Sequence, residues 1–240
     1  MRMKLFWLVP LLLNLTIVVT TTLAQSKEGL KSYSVKKIPE TPILSGSGDD
    51  ALWKRAHILS DFHYPWEKGA PRPTRFKALH NDTWLYILFD IEDPDVFIMK
   101  EKNHKAGVAG SSRAEIFFKR DDRMNPYYCL EIDPTGRVLD YEGTFHRQFN
   151  LDWSWPAGQL MVKTQQRKDG YSIELAITKS SLQSLGLLQN KTLQAGLFRA
   201  DCAVNAEGIT EFSWISWVKP VSRTPDFHIP SSFGSMRLED

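Results

Sequence analysis

The alternation of apolar and polar side chains is clearest in residues 74–95, where two apolar runs flank a short polar group at positions 80–83. In the second run Leu85, Ile87 and Phe89 point one way, and the large groups between them point the other way. Aromatic and β-branched residues fill a pleated surface well, and asparagine and aspartate tolerate tight turns. The stretch therefore predicts a β-hairpin whose second strand is central in a sheet and ends before Pro94.

Similar runs recur along the rest of the chain. They lie at 113–119, 127–133, 137–142, 159–167, 171–177, 193–204, 212–217 and 235–238. The strongest turn signal between them is Asp169-Gly170. Helical structure is expected only at 51–56, where Asp50 can cap a short turn, and at 180–188. About ten short strands, one or two short helices and no alternation of strands with helices predict an all-β fold, an antiparallel β-sandwich.

The first 24 residues have the pattern of a secretory signal peptide, with Arg2 and Lys4 before an apolar run at 5–19 and small residues before Gln25. This run is shorter than the roughly 20 residues that a membrane-spanning helix needs, and an uncleaved membrane anchor is the alternative. Residues 25–43 are polar and contain two prolines, which is typical of a leader or linker. A single domain is then expected at 44–240, in a secreted or periplasmic protein.

The charge balance changes the list of partners. Residues 1–24 hold two of the 30 basic residues and no acidic residue, so the remaining 216 residues carry 28 Lys and Arg against 28 Asp and Glu. Nucleic acids and anionic membranes require net positive surfaces, and neither is expected as a main partner. We expect a monomer that does not stay at a membrane after its signal peptide is removed.

Cysteine and metal chemistry are sparse in the sequence. Cys129 and Cys202 lie in predicted strands, and the sequence is compatible with either a disulfide bond between them or two buried free thiols. One acidic run offers oxygen ligands for a structural calcium ion, with a solvated strand end as the alternative. Its candidate ligands are Asp90, Glu92, Asp93 and Asp95. No other cofactor is indicated.

Catalytic signatures are missing, while aromatic residues in predicted loops are frequent. The sequence has no G-x-S-x-G, H-E-x-x-H, P-loop or G-x-G-x-x-G motif. Tyr64, Trp66, Trp155 and Trp217 lie beside prolines or at strand ends. Sugars present apolar C–H faces and a belt of hydroxyl groups, so their sites combine aromatic rings with a few polar groups. We therefore expect a saccharide-binding surface with indole rings at the rim of the sandwich.

Several short motifs follow one another in a set order over almost all of residues 44–239. They are Asp49-Asp50-x-x-Trp53, Thr83-Trp84-Leu85-Tyr86, Ala114-Glu115-Ile116-Phe117-Phe118, Gly170-Tyr171-x-x-Glu174, Gly196-x-x-Arg199 and Pro225-x-Phe227-His228-x-Pro230. This order resembles the family 9 carbohydrate-binding modules, which are DOMON-like β-sandwiches, in a free-standing, exported form.

The resemblance implies a non-catalytic protein that captures a saccharide, usually a chain end held between two aromatic rings. Trp217 matches the family's C-terminal ring, and Arg113 and Glu115 lie on the strand that bears its polar contacts. The family's other ring comes shortly before that strand, where residues 97–112 contain no Trp or Tyr. Two alternatives follow: Trp66 replaces that ring from its loop, or the pocket has only one of the two rings. His228 completes the set of candidate binding residues, and calcium is an expected structural ion.

Three other functions are compatible with the sequence. One is a structural or protein-interaction sandwich, whose loop aromatic residues would be buried against a partner. A haem-binding DOMON-type sandwich would use axial ligands such as Met99, His104 or His228. A glycoside-cleaving enzyme would need two opposed carboxylates, for which Glu115 and Glu131 are the candidates.

Overall fold

Twelve β-strands form the framework of the computed structural model, which describes residues 31–100 and 104–240. The strands are β1 Ser32–Lys37, β2 Thr74–His80, β3 Trp84–Glu92, β4 Arg113–Lys119, β5 Tyr127–Ile132, β6 Val138–Thr144, β7 Gln148–Asn150, β8 Leu160–Arg167, β9 Gly170–Thr178, β10 Thr192–Val204, β11 Thr210–Ser216 and β12 Gly234–Leu238. The helices are α1 His104–Ala109, α2 Lys179–Ser184 and the 3-10 turns Ala51–Arg55 and Pro230–Ser232. The all-β prediction is confirmed.

The strands form one curled sheet that folds over itself into two layers. Its order is β7-β6-β5-β4-β10-β12-β1-β2-β3-β9-β8, with β11 also paired to β10. We call β4–β7 and β10–β12 the first layer, and β2, β3, β8 and β9 the second layer. Neighbouring strands are antiparallel except at β1, which runs parallel to both β12 and β2 and joins the two layers.

The layers carry three hydrophobic clusters. The inner core between them includes Phe76, Phe89, Ile116, Leu197 and Trp217. A second cluster covers the outer face of the first layer and a third covers the outer face of the second layer. The second cluster includes Phe117, Tyr127, Tyr141, Phe198 and Phe227. The third cluster includes Trp53, Tyr86 and Leu88. Strands β4, β5 and β9 are consequently buried on both faces.

The predicted hairpin of residues 74–95 is confirmed as β2 and β3, with β3 central between β2 and β9. Its turn is held by Asn81, whose Oδ1 accepts hydrogen bonds from the backbone N–H groups of Thr83 and Trp84 at 2.9 and 2.8 Å. Asp50 caps the first 3-10 turn by accepting a hydrogen bond from Leu52 N at 2.8 Å. Trp53 from that turn is buried.

The leader or linker expected at 25–43 is wrong for residues 32–37, because they form β1 within the sheet. Tyr33 and Val35 are buried and alternate with more exposed neighbours, a period-two signal that is short and surrounded by polar residues. Strand β7 and helix α1 were also not predicted. Both border the outer face of the first layer, where the candidate site lies.

The expected signal peptide, residues 1–24, lies outside the described residues. No helix in the described ranges is long and apolar enough to cross a membrane. Cys129 and Cys202 are both buried and free, so the disulfide alternative is not realised in this structure.

Candidate functional site

A hollow of about 580 Å³ opens on the outer face of the first layer, and we call it the outer hollow. Helix α1, the β6–β7 hairpin, β11 and the loop before β12 surround it, and β4–β6 form its floor. Its lining includes Lys105, Ala109, Arg113, Glu115, Glu131, Leu139, Tyr141, Arg147, Phe149, Leu151, Asp152, Trp214 and His228. Its volume lies within the roughly 300–1,000 Å³ of small-ligand sites.

The alternation of the strands explains how these side chains meet. Glu115 on β4 lies opposite Glu131 on β5, and Arg113 is two positions earlier on the same face. Ala200 on β10 lies between Arg113 and Trp214 in the register. Because Ala200 is small, the guanidinium reaches the indole, with Arg113 Cζ 5.5 Å from the Trp214 ring centroid.

Arg113 organises the charges on the floor. Its Nε donates a hydrogen bond to Glu131 Oε2 at 2.6 Å and its Nη1 donates to Ala109 O at 2.9 Å. The other oxygen of Glu131 accepts a hydrogen bond from Tyr141 OH at 2.8 Å. Glu115 Oε1 lies 2.9 Å from Arg113 Nε, but it has no hydrogen-bond partner among the described residues. Both carboxylate oxygens of Glu131 therefore accept a hydrogen bond, whereas Oε1 of Glu115 accepts none.

Burial and charge act in opposite directions on this group. Burial raises the pKa of Glu115, the negative Glu131 raises it further, and Arg113 only partly opposes this. Burial alone would lower the pKa of Arg113, but Glu131 and Glu115 more than offset that effect and keep the guanidinium charged. The floor thus presents a fixed cation beside a carboxyl group that can accept or donate a hydrogen bond.

His228 and Phe149 form one wall of the outer hollow. The His228 ring stacks on Phe117 at 5.2 Å, lies 4.8 Å from the Phe149 ring, and makes a 3.0 Å hydrogen bond between Nδ1 and Tyr127 OH. Burial, together with the positive charge of Arg147, lowers the pKa of His228 to about 3, so the imidazole is neutral.

The wall is fixed to the hairpin beside it. Asp226, two residues before His228, contacts His146 Nε2 at 2.8 Å and Arg147 Nη1 at 3.3 Å, and both of these residues lie between β6 and β7. Asp226 also accepts a hydrogen bond from His228 N at 2.9 Å. The loop that carries His228 and the hairpin that carries Phe149 are therefore held together.

Of the five predicted binding residues, Arg113, Glu115 and His228 lie together in the outer hollow. Trp217 does not, because its side chain is 1% exposed in the inner core, so the expectation of an exposed ring is wrong. Trp217 is two positions after Ile215, so alternation turns both side chains into the inner core. Trp66 is half-buried against Phe227, donates a hydrogen bond to Ser222 O at 3.1 Å, and does not line the hollow.

Two aromatic residues of the hollow, Trp214 and Phe149, were missed by the sequence reasoning. Trp214 is three positions before Trp217, so alternation along the strand places the two rings on opposite faces. That odd spacing was the available signal. Phe149 lies in the unpredicted strand β7 and is 39% exposed, and the sequence around it gives no comparable indication.

The acidic run proposed for calcium does not fit a metal site. All four of its carboxylates contact arginines, and a guanidinium at the oxygen atoms repels a cation. The shortest contacts are Asp90–Arg167 at 2.7 Å, Glu92–Arg75 at 2.8 Å, Asp93–Arg72 at 3.0 Å and Asp95–Arg72 at 2.7 Å. In the part of the chain that the structure describes, no three His, Cys, Asp or Glu side chains are placed to hold an ion.

Comparison with known proteins places the chain in a family. Residues 44–240 match the family described as carbohydrate family 9 binding domain-like. The chain belongs to this family. The resemblance found in the sequence is thereby confirmed, and the outer hollow lies within the matched residues. No curated protein matches the chain.

Solved structures share the fold of this family 9 domain at low sequence identity. A Bacteroides uniformis protein to which carbohydrate binding is ascribed has a TM-score of 0.64 and 18% identity, covering 88% of this chain and 100% of its own. A family 9 module of Caldicellulosiruptor kristjanssonii, solved with cellotriose, has a TM-score of 0.57, 16% identity and coverage of 87% and 94%. The glucose complex of a family 9 module from the same organism has a TM-score of 0.56 and 16% identity, covering 87% of this chain and 96% of its own.

Proposed function

We propose that the outer hollow of this family 9 domain binds a saccharide without cleaving it. The observation that carries the proposal is the Glu115 carboxyl group, which is buried in the floor of the hollow beside Arg113 and lacks a hydrogen bond at Oε1. Arg113 Nε contacts this oxygen at 2.9 Å without hydrogen-bond geometry, and a hydrogen bond in a protein contributes about 0.5–1.5 kcal/mol net. A sugar hydroxyl that enters the hollow would supply this bond.

The rings around the hollow suit the remainder of a sugar. Trp214 on β11 and Phe149 on β7 offer apolar surface to C–H faces, and Arg113 offers hydrogen-bond donors beside them. The Caldicellulosiruptor module binds cellotriose and glucose in its solved complexes, which supports these two sugars as the first ligands to test.

The arrangement of the carboxylates favours binding over cleavage. A glycosidase holds two carboxyl groups on either side of the scissile bond, about 5–5.5 Å or 6.5–9.5 Å apart. Glu115 and Glu131 instead lie side by side on neighbouring strands and contact the same Arg113 Nε. Glu131 also has both oxygens engaged, so it is not free to act as a nucleophile or base.

The haem alternative gains no support from the geometry. His228 Nδ1 is hydrogen-bonded to Tyr127, and Met99 does not line the outer hollow. The side chain of His104 lies outside the described residues. A purified protein without a Soret band after haem addition is the expected result.

Our proposal includes the setting in which the domain works. The signal-like residues 1–24 support export, and the protein would then capture a saccharide as a monomer outside the cytoplasm. N-terminal sequencing of the protein from the medium or periplasm should start near Gln25.

The test compares two tryptophans in isothermal titration with glucose and cellotriose. Trp214→Ala should weaken binding at least about tenfold, because aromatic anchors dominate such sites. Trp66→Ala is the matched control and should change affinity less than about twofold, since Trp66 packs outside the hollow. Unchanged binding in Trp214→Ala, or no binding by the wild type across a glycan panel, would overturn the proposal.

A further inference from the structure

A second hollow of about 640 Å³ lies beside the end of the β10–β11 hairpin, and we call it the edge hollow. Its lining includes Tyr64, Glu67, Arg72, Asp95, Asp201 and Glu211. Asp201 follows Ala200, which faces the outer hollow, so alternation along β10 turns Asp201 to the other side of the sheet. One hairpin thus borders two separate hollows.

A fully buried ion pair lies directly behind this hollow. Arg199 Nη2 is 3.1 Å from Asp93 Oδ2 and 3.2 Å from Asp201 Oδ2. Arg72, on the wall of the edge hollow, contacts the other oxygen of Asp93 at 3.0 Å and Asp95 at 2.7 Å. The buried pair is therefore in contact with two residues that line the hollow, Arg72 and Asp201.

Several polar atoms at this end of the sandwich lack hydrogen bonds. Arg199 Nε, Tyr171 OH and Thr74 Oγ1 have no hydrogen-bond partner among the described residues, and all three side chains are at least 98% buried. Buried polar groups in folded proteins are almost always paired. The cluster therefore has unused donors and acceptors behind the wall of the hollow.

The lining chemistry matches that of the outer hollow. Each hollow has an arginine in contact with carboxylates, and each also has an aromatic side chain. In the edge hollow these are Arg72 and Tyr64. Donors and acceptors placed side by side suit neighbouring hydroxyl groups. The carboxylates outnumber the single Arg72 on the wall, which disfavours an anionic ligand.

We infer that the edge hollow is a second saccharide site, which takes a neutral sugar residue and makes the protein bivalent for sugar chains. The ligand class rests on the function proposed for the outer hollow. Phe212 lines the edge hollow and stacks on Trp214 of the outer hollow at 5.3 Å, so the two sites are neighbours on the β10–β11 hairpin. Tyr64 and Glu67 line only the edge hollow, so variants there test it separately.

The experiment is a titration of the full chain with glucose and with cellotriose, followed by calorimetry and by backbone amide chemical shifts. The wild type should show two binding events, with shifts at Ala109 and Leu139 for the outer hollow and at Ala203 and Ser213 for the edge hollow. Trp214→Ala should keep only the event that moves Ala203 and Ser213.

Tyr64→Leu keeps apolar packing but removes the ring, and it should weaken the edge event at least about tenfold while the outer event is unchanged. Glu67→Gln on the exposed part of the same wall serves as a second variant if Tyr64→Leu does not fold, and it should weaken the edge event measurably. A single event confined to the outer hollow would overturn this inference and leave the proposed function intact. An event confined to the edge hollow would overturn the function proposed for the outer hollow and the bivalent binding inferred here, and would leave the edge hollow as a saccharide site. No event at either hollow would overturn both proposals entirely.

Discussion

Two buried glutamates occupy comparable places in the two layers, yet their surroundings differ. Glu115 lies on the outer face of the first layer and Glu174 on the outer face of the second layer, and they are 2% and 0% exposed. Both oxygens of Glu174 accept hydrogen bonds, from Trp53 Nε1 at 2.8 Å and from Gly46 N. Glu115 contacts Arg113, but its Oε1 has no hydrogen bond.

The difference lies in what covers each layer. The segment before and within the first 3-10 turn lies over Glu174 and supplies both donors. Helix α1 and the β6–β7 hairpin border the space over Glu115 but leave the outer hollow open there. A buried carboxylate whose bonds are complete stabilises the fold, whereas one with an unused oxygen in a ligand-sized hollow is available for binding.

The largest expected effect is on stability at the covered glutamate. Glu174→Gln replaces an acceptor oxygen with an NH₂ group, so the donor of either Trp53 or Gly46 loses its partner. We expect a loss of about 2–4 kcal/mol in the free energy of unfolding, because buried unpaired groups cost about 1–3 kcal/mol each and the pocket must rearrange. Guanidinium unfolding measures this, with Glu207→Gln on the surface as the neutral control. A loss below about 1 kcal/mol would contradict the structural role.

A smaller loss of stability is expected at Gly46, where the segment that lies over Glu174 approaches β8. Gly46 has φ of +93°, and a Cβ there would meet the backbone of Thr164, so both conformation and space require glycine. Gly46→Ala should cost about 2 kcal/mol and leave saccharide affinity unchanged. Gly69→Ala is the matched control, since its φ is +100° but its Cβ position is open. Equal losses in both variants would show that the close approach does not matter.

The smallest predicted effect concerns acid stability at the wall of the outer hollow. The folded-state pKa of His228 is lowered to about 3 from an ordinary value of 6.5, mainly by burial, so its stabilising contribution is complete above pH 6.5 and is lost as the pH falls toward 3. We expect wild type to lose about 1 kcal/mol more than His228→Asn between pH 6.5 and 5.5. Thermal unfolding across that range tests this, with the exposed His57→Asn as control, and parallel curves would contradict it.

Much of the fold could be predicted because apolar and polar residues alternate clearly along many of its strands. The hairpins of β2–β3 and β8–β9 have long period-two runs and clear turn residues, and both formed as expected. Strand β1 was missed because only Tyr33 and Val35 carry its signal. Its place depends on pairing with β12, for example Ser32 with Ser235, and the local sequence pattern does not reveal such distant partners.

The site was only half predictable for a related reason. The spacing of Arg113 and Glu115 sets them on one face of β4, and that part of the site was identified. Trp214 in β11 and Trp217 directly after the strand are both aromatic, so hydrophobicity alone did not decide which of them faces outward. Glu115 and Glu174 likewise look equivalent in the sequence, and only the covering segments distinguish a binding group from a structural one.

The most direct test of this distinction measures saccharide affinity and stability together in Glu115→Gln and Glu174→Gln. Glu115→Gln should lower affinity for the bound sugar about tenfold or more, equivalent to about 1.4 kcal/mol, and change the free energy of unfolding by less than about 1 kcal/mol. Glu174→Gln should lose stability and keep its affinity under conditions where it is folded. Full affinity in Glu115→Gln, with the loss appearing in Glu174→Gln, would contradict the account.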